Sequence, residues 1–134
     1  MFSYTLGTYS HGELDINYSD TSGTNKALRL ASKSDVVVVV MGEHGLQSGE
    51  GRSRAKINLP GIQESFLKEI YKANNKVILV LMNGRPLDLS WVDENIPAVV
   101  EAWQLGTMSG EPYHQFCSEI IILLVNFLFH FRDL

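Results

Sequence analysis

The chain has 134 residues, a formal net charge of −4, 45% hydrophobic and 19% charged residues. That length suits one domain or part of one, and the composition can bury a core, which excludes a compositionally disordered chain. The acidic balance argues against nucleic acid as a main partner, and the single cysteine, Cys117, excludes an intrachain disulfide and a cysteine-based zinc site.

The opening residues "MFSYTLGTYSHGE" carry neither the basic start nor the apolar stretch of a signal peptide. Within them "FSYTLG" alternates apolar and polar residues up to a glycine and predicts a short strand, while residues 8–23 read as a loop. From Thr24, "TNKALRLASKS" places Ala27, Leu28, Leu30 and Ala31 along one side of a helix. "DVVVVVMG" is β-branched at every position from 36 to 40. A strand apolar on both faces belongs in a parallel sheet with helices on each side. After a polar loop, Pro60 is placed in a first helical turn, followed by "GIQESFLKEIYKAN" with Ile62, Phe66, Leu67 and Ile70 at helical spacing. "KVILVLMNG" is a second buried strand, "RPLDLSWVDENI" includes a short helix, and "PAVVEAW" is a third strand that leaves through "QLGTMSG".

Residues 1–110 therefore alternate β-α-β-α-β-α-β. This predicts an α/β fold, a three-layer α/β/α sandwich with a mostly parallel sheet, incomplete in this chain. Ligands on such sheets bind beyond the carboxyl ends of the strands, where the loops 41–59, 83–88 and 103–110 leave. The apolar run "IIILLVNFLFHF" at 120–131 is too short to span a bilayer as a helix and contains Asn126 and His130.

The loop "MGEHGLQSGEGRSR" at 41–54 follows directly on the valine run, and its glycines make it costly to order. It lacks both G-x-G-x-x-G and G-x-x-x-x-G-K-[ST], and two glutamates would repel phosphate, so a nucleotide turn is disfavoured. Glu43 and His44 are adjacent and no second histidine lies nearby, so a metal site with Glu50 is disfavoured too. No metal or other cofactor is expected. A third reading is a loop that presents one carboxyl group into a cleft as a general acid. Glu50, between Gly49 and Gly51, could reach far from the sheet, with Arg52 and Arg54 anchoring the loop or pairing with Glu43. Leu46 and Ile57 are its main candidate apolar anchors, so the loop is expected to be loosely held by its own domain. Residue types alone leave Glu50 as either a presented acid or a solvated charge.

The strings "SDVVVVVMGEHGLQSGEGRSRAKINLPGIQESFLKEI", "VILVLMNGRPLDLSW" and "PAVVEAWQLGTMSG" together resemble the C-terminal α/β domain of glycoside hydrolase family 3, in its β-glucosidase and β-xylosidase branch. The resemblance covers residues 24–110. It implies a retaining glycosidase acting on terminal β-linked sugars. An N-terminal (β/α)8 barrel would supply the nucleophilic aspartate, and the domain seen here would lend a loop carrying the acid/base, which matches Glu50. It further implies a structural role for Glu43, as a partner for Arg54, and a loop-tying role for Arg85. Trp103 is a candidate for lining the cleft, although an aromatic at a strand end is more often core. His44 and Gln47, as exposed polar residues, are candidates for touching a sugar at the cleft mouth. Full-length relatives of this kind are often periplasmic or secreted. The expected partners are a β-linked glycoside and the barrel domain, with no nucleic acid and no membrane span.

Two features depart from the family pattern: the barrel is absent, and residues 111–134 do not continue as the family would, through Gly-Asp-Tyr-Asn-Pro-Ser-Gly-Lys-Leu-Pro. The reading divides the chain into a partial domain, 1–110, and an aberrant apolar tail, 111–134, translated from a shifted frame and expected to dock opportunistically or aggregate. The rival readings are a non-catalytic carbohydrate-binding or interaction module and a non-functional truncated product.

Overall fold

The computed structural model describes residues 21–107, Ser19, and the strand segments 9–10, 13–14 and 129–131. The strand expected at 2–7, Cys117 and the tail 111–134 apart from 129–131 lie outside the described residues. The elements are β1 (Tyr9–Ser10), β2 (Glu13–Leu14), α1 (Thr24–Ala31), β3 (Val37–Gly42), α2 (Gln63–Ala73), β4 (Val77–Met82), α3 (Ser90–Asn95), β5 (Ala98–Glu101) and β6 (Phe129–Phe131). The segment 8–23, expected as loop throughout, contains the antiparallel pair β1–β2. Strands β3, β4 and β5 lie side by side in chain order and parallel, and β6 closes the sheet antiparallel to β5. The fold is thus α/β with a mostly parallel sheet.

Register explains the core. Val39 pairs with Leu79 and Leu79 with Val99, so alternate residues of all three strands face the same way. On that face Val39, Met41, Val77, Leu79 and Leu81 are buried with Ala31 of α1, Leu67 and Ile70 of α2, and Val92 of α3. Each such Val, Leu, Ile or Met side chain contributes roughly 1.5–3 kcal/mol on leaving water. The helices are tied to one another as well. The Asn74 amide donates to the carbonyls of Ala31 and Ser34, and Tyr71 meets Trp91 edge to face at 6.0 Å.

The opposite face holds a smaller cluster of Val80, Val100 and Ala102. There Val38 and Val40 are 44% and 60% exposed. The valine run predicts cover on both faces, but the described helices cover one. The sandwich is incomplete on the Val38 side among the described residues.

Helix α2 begins later than expected. Gly61 has φ +54, outside helical geometry, so Pro60 sits in a buried turn ahead of the helix rather than in its first turn. That turn aims Gln63 at the end of β3, where its side chain bonds both the N–H and the carbonyl of Gly42. Gly42 has φ +138, and a Cβ there would lie 2.0 Å from the Met82 carbonyl oxygen, so no other residue fits this exit.

Candidate active site

Because Gly42 is level with Met82 and Leu81 with Glu101, the three parallel strands end nearly together. Their exit residues form one polar edge. Glu43, the first residue past β3, has a side chain with no solvent exposure. Its Oε1 accepts from Arg54 Nη1 at 2.6 Å and its Oε2 from Arg85 Nε at 3.1 Å, so both carboxylate oxygens are paired with guanidinium groups. Arg54 reaches on to the Asn58 carbonyl at 3.1 Å. Arg85, from the exit of β4, donates through Nη2 to the carbonyls of Gln47 at 2.5 Å and Arg52 at 2.7 Å. Arg52 contributes that carbonyl, while its residue as a whole is exposed.

The loop is therefore held by polar ties. Leu46 and Ile57, the expected apolar anchors, are 54% and 45% exposed, and neither belongs to the buried core. Glu43 and Arg85 at the strand ends and Arg54 within the loop tie it instead, and the Ile57 carbonyl accepts the Asp88 N–H. Gln47 also differs from expectation: it is buried, not exposed. Its Oε1 accepts the His44 N–H at 2.8 Å, and its own N–H returns to the His44 carbonyl at 2.8 Å. His44 is half-buried, and its Nδ1 accepts from the Leu46 N–H at 3.2 Å, which places the neutral ring's proton on Nε2.

Beyond these ties the tip stands free. Gly49 and Gly51 have φ +128 and +72, and nothing lies within 4 Å of where their Cβ atoms would be. Glu50 between them is exposed, and no described residue bonds its carboxylate. A fixed stem with an unpartnered acid at the tip is suited to protonating an oxygen supplied from elsewhere.

The exits of β4 and β5 bring Asn83 and Glu101, which the sequence reading does not single out, next to the candidate Trp103. Trp103 has φ +53, rare for a bulky residue, and is 41% exposed rather than core. Its N–H donates to Glu101 Oε1 at 3.1 Å. Burial pushes the Glu101 carboxyl above its ordinary value, opposed by that N–H and by the Asn83 side chain. Asn83 has no solvent exposure; its amide donates to the Arg85 carbonyl at 2.7 Å, and its Oδ1 has no partner among the described residues. The only sequence signal for Asn83 is the Asn-Gly pair, which also reads as a strand stop. Among the described residues no three His, Cys, Asp or Glu side chains stand together as metal ligands, and no helix is long and apolar enough to cross a membrane.

The glycosyl hydrolase family 3 C-terminal domain model matches residues 6–117. The chain belongs to that family. The match extends beyond the motif-bearing stretch 24–110 at both ends. A β-xylosidase of Formosa agariphila is 39% identical over 97 residues, covering 72% of this chain and 13% of that protein. A β-glucosidase of Bacteroides ovatus is 33% identical over 112 residues, covering 81% of this chain and 15% of that protein. The crystal structure of a β-glucosidase from Bifidobacterium adolescentis superposes with a TM-score of 0.68 at 26% identity, over 77% of this chain and 15% of that one. The family 3 chain described here thus spans 13–15% of the length of these relatives.

Proposed function

We propose that this chain is the part of a retaining β-glycosidase that presents the acid/base, Glu50, to a sugar bound in a partner barrel domain. The observation that supports this most is the exposed carboxyl, unpartnered among the described residues, at the tip of a loop whose stem is held by Glu43, Arg54 and Arg85. In a retaining mechanism the acid protonates the leaving oxygen while a second carboxylate about 5–5.5 Å away attacks the anomeric carbon. The same acid, now a base, then activates the water that releases the sugar. A low-dielectric cleft formed by both domains would raise the carboxyl into its working range. The nucleophile is assigned to the barrel, so the purified 134-residue chain is expected not to turn over aryl β-glucosides.

The test is to join the chain to a family barrel domain and compare Glu50→Ala with Glu43→Ala. Loss in Glu50→Ala should be mild for an activated phenol leaving group and severe for a poor one, because only the poor one needs protonation. Equal losses, or a larger leaving-group effect from Glu43→Ala, would overturn the assignment. Trp103, half-exposed at the same strand edge, is a candidate for contact with the sugar, as is the half-buried His44.

A further inference from the structure

We infer that Arg85 is the positioning residue that sets the reach of the Glu50 arm, by clamping the loop on both sides of the acid; this rests on Glu50 being the acid. The two hydrogens of its Nη2 go to the carbonyls of Gln47 and Arg52, at 2.5 and 2.7 Å. Those carbonyls bracket residues 48–51, so one guanidinium group closes the stem of the turn that carries Glu50. Its Nε is held by Glu43 at 3.1 Å, which orients the planar fork. The Asn83 amide in turn fixes the Arg85 backbone through its carbonyl at 2.7 Å.

The other side-chain ties described hold the loop on one side of the acid only: Gln47 bonds His44 before it, and Arg54 bonds Glu43 and Asn58 after it. The tip has one internal backbone bond, from the Arg52 N–H to the Gly49 carbonyl at 3.1 Å, and its glycines add freedom rather than remove it. Leu46 gives no apolar anchor at 54% exposure. The neighbouring Gly84 shows that the stem is seated on this turn, because a Cβ there would lie 1.9 Å from Ser48 Oγ. A catalytic acid misplaced by about 1 Å loses about 100-fold in rate, so the residue that fixes the stem governs catalysis without touching substrate. Lysine keeps the charge beside Glu43 but has no planar fork to span two carbonyls.

Two measurements test this. In the full chain, amide exchange is followed in the wild type, Arg85→Lys and Arg85→Ala. The Gln47 and Arg52 amides should exchange at least about tenfold faster in Arg85→Lys, with the amides of β4 unchanged. Wild-type protection at both amides in Arg85→Lys would overturn the clamp, even if Arg85→Ala fails to fold. In the barrel-joined enzyme, Arg85→Lys should lower kcat more for a poor leaving group than for an activated one, with KM little changed. Equal losses on both substrates, while Glu50→Ala shows the leaving-group split, would reduce Arg85 to a structural residue and overturn the proposal. No split in Glu50→Ala itself would instead sink the acid assignment, leaving the clamp to the exchange result.

Discussion

Gln63 holds both ends of the Gly42 residue: its Oε1 accepts the Gly42 N–H at 2.9 Å and its Nε2 donates to the Gly42 carbonyl at 2.9 Å. Two residues 21 apart in sequence thus lock the start of α2 onto the point where β3 releases the Glu50 loop. Both bonds are partly buried and each is worth about 0.5–1.5 kcal/mol. Gln63→Ala should therefore cost about 2 kcal/mol in urea unfolding, and Gln63→Glu, which sets a carboxylate oxygen against the Gly42 carbonyl in place of the donor, at least as much at neutral pH. Equal stability of Gln63→Ala and wild type would contradict this role.

The Glu43 carboxylate is the shared counter-charge of Arg54 and Arg85, with exposures of 0%, 12% and 16% for the three side chains. Glu43→Gln leaves two guanidinium groups facing a neutral amide. Breaking a buried pair typically costs 3–5 kcal/mol, and the partial exposure of both arginines points to the lower end, about 3 kcal/mol. Adding Arg54→Met to Glu43→Gln should recover part of that loss. A double variant as unstable as the sum of the single ones would show that the pair is uncoupled.

The three central parallel strands, the helices and the edge where the loops leave were legible because they rest on local pattern. The valine run fixes β3, the spacing of Phe66, Leu67 and Ile70 fixes α2, and strand order places the loops at one edge. The bonds that organise that edge were not legible, because they depend on register. Asn83 can lie beside Glu101 only because β4 and β5 pair Leu81 with Glu101. Gln47 looked like a surface residue because nothing in its type reveals that its amide folds back on His44. The apolar character of Val38 and Val40 states what a strand can bury, not which element covers it.

Glu101 gives a pH signature. Its carboxyl sits above its ordinary value of 4.5 in the folded chain, chiefly because burial penalises the charged form. The folded state then binds the proton more tightly than the unfolded state. The associated stability is fully present below pH 4.5 and is lost as pH rises through the raised folded value. Glu101→Gln retains an acceptor for the Trp103 N–H without the charge. Its stability relative to wild type should increase between acid pH and pH 7, read as the difference in urea midpoints. A difference independent of pH would contradict the assignment.

Residues 111–134 carry an expectation about the gene. If they are read from a shifted frame, the third base of each codon joined to the first two of the next should spell the family continuation. Glu119 as GAG and Ile120, Ile121 and Ile122 as ATT, ATA and ATC would give Asp, Tyr and Asn, with Gly from the junction of Ser118 and Glu119. The codons through Leu128 would continue as Pro-Ser-Gly-Lys-Leu-Pro. Bases over 119–128 that cannot be read this way would make the tail a translated ending in its own right.

The central claim, that Glu50 is the acid/base, is tested most directly by azide trapping in the barrel-joined enzyme. With Glu50→Ala and an activated aryl β-glycoside, the first step still forms the glycosyl-enzyme, but water lacks its base for the second. Azide needs no base; it attacks the anomeric carbon from the face opposite the enzyme ester, which leaves as carboxylate. The account predicts that azide accelerates Glu50→Ala and that the product is the β-glycosyl azide, with no such effect in the wild type. No acceleration in Glu50→Ala, or β-glycosyl azide formed instead by Glu43→Ala, would contradict it.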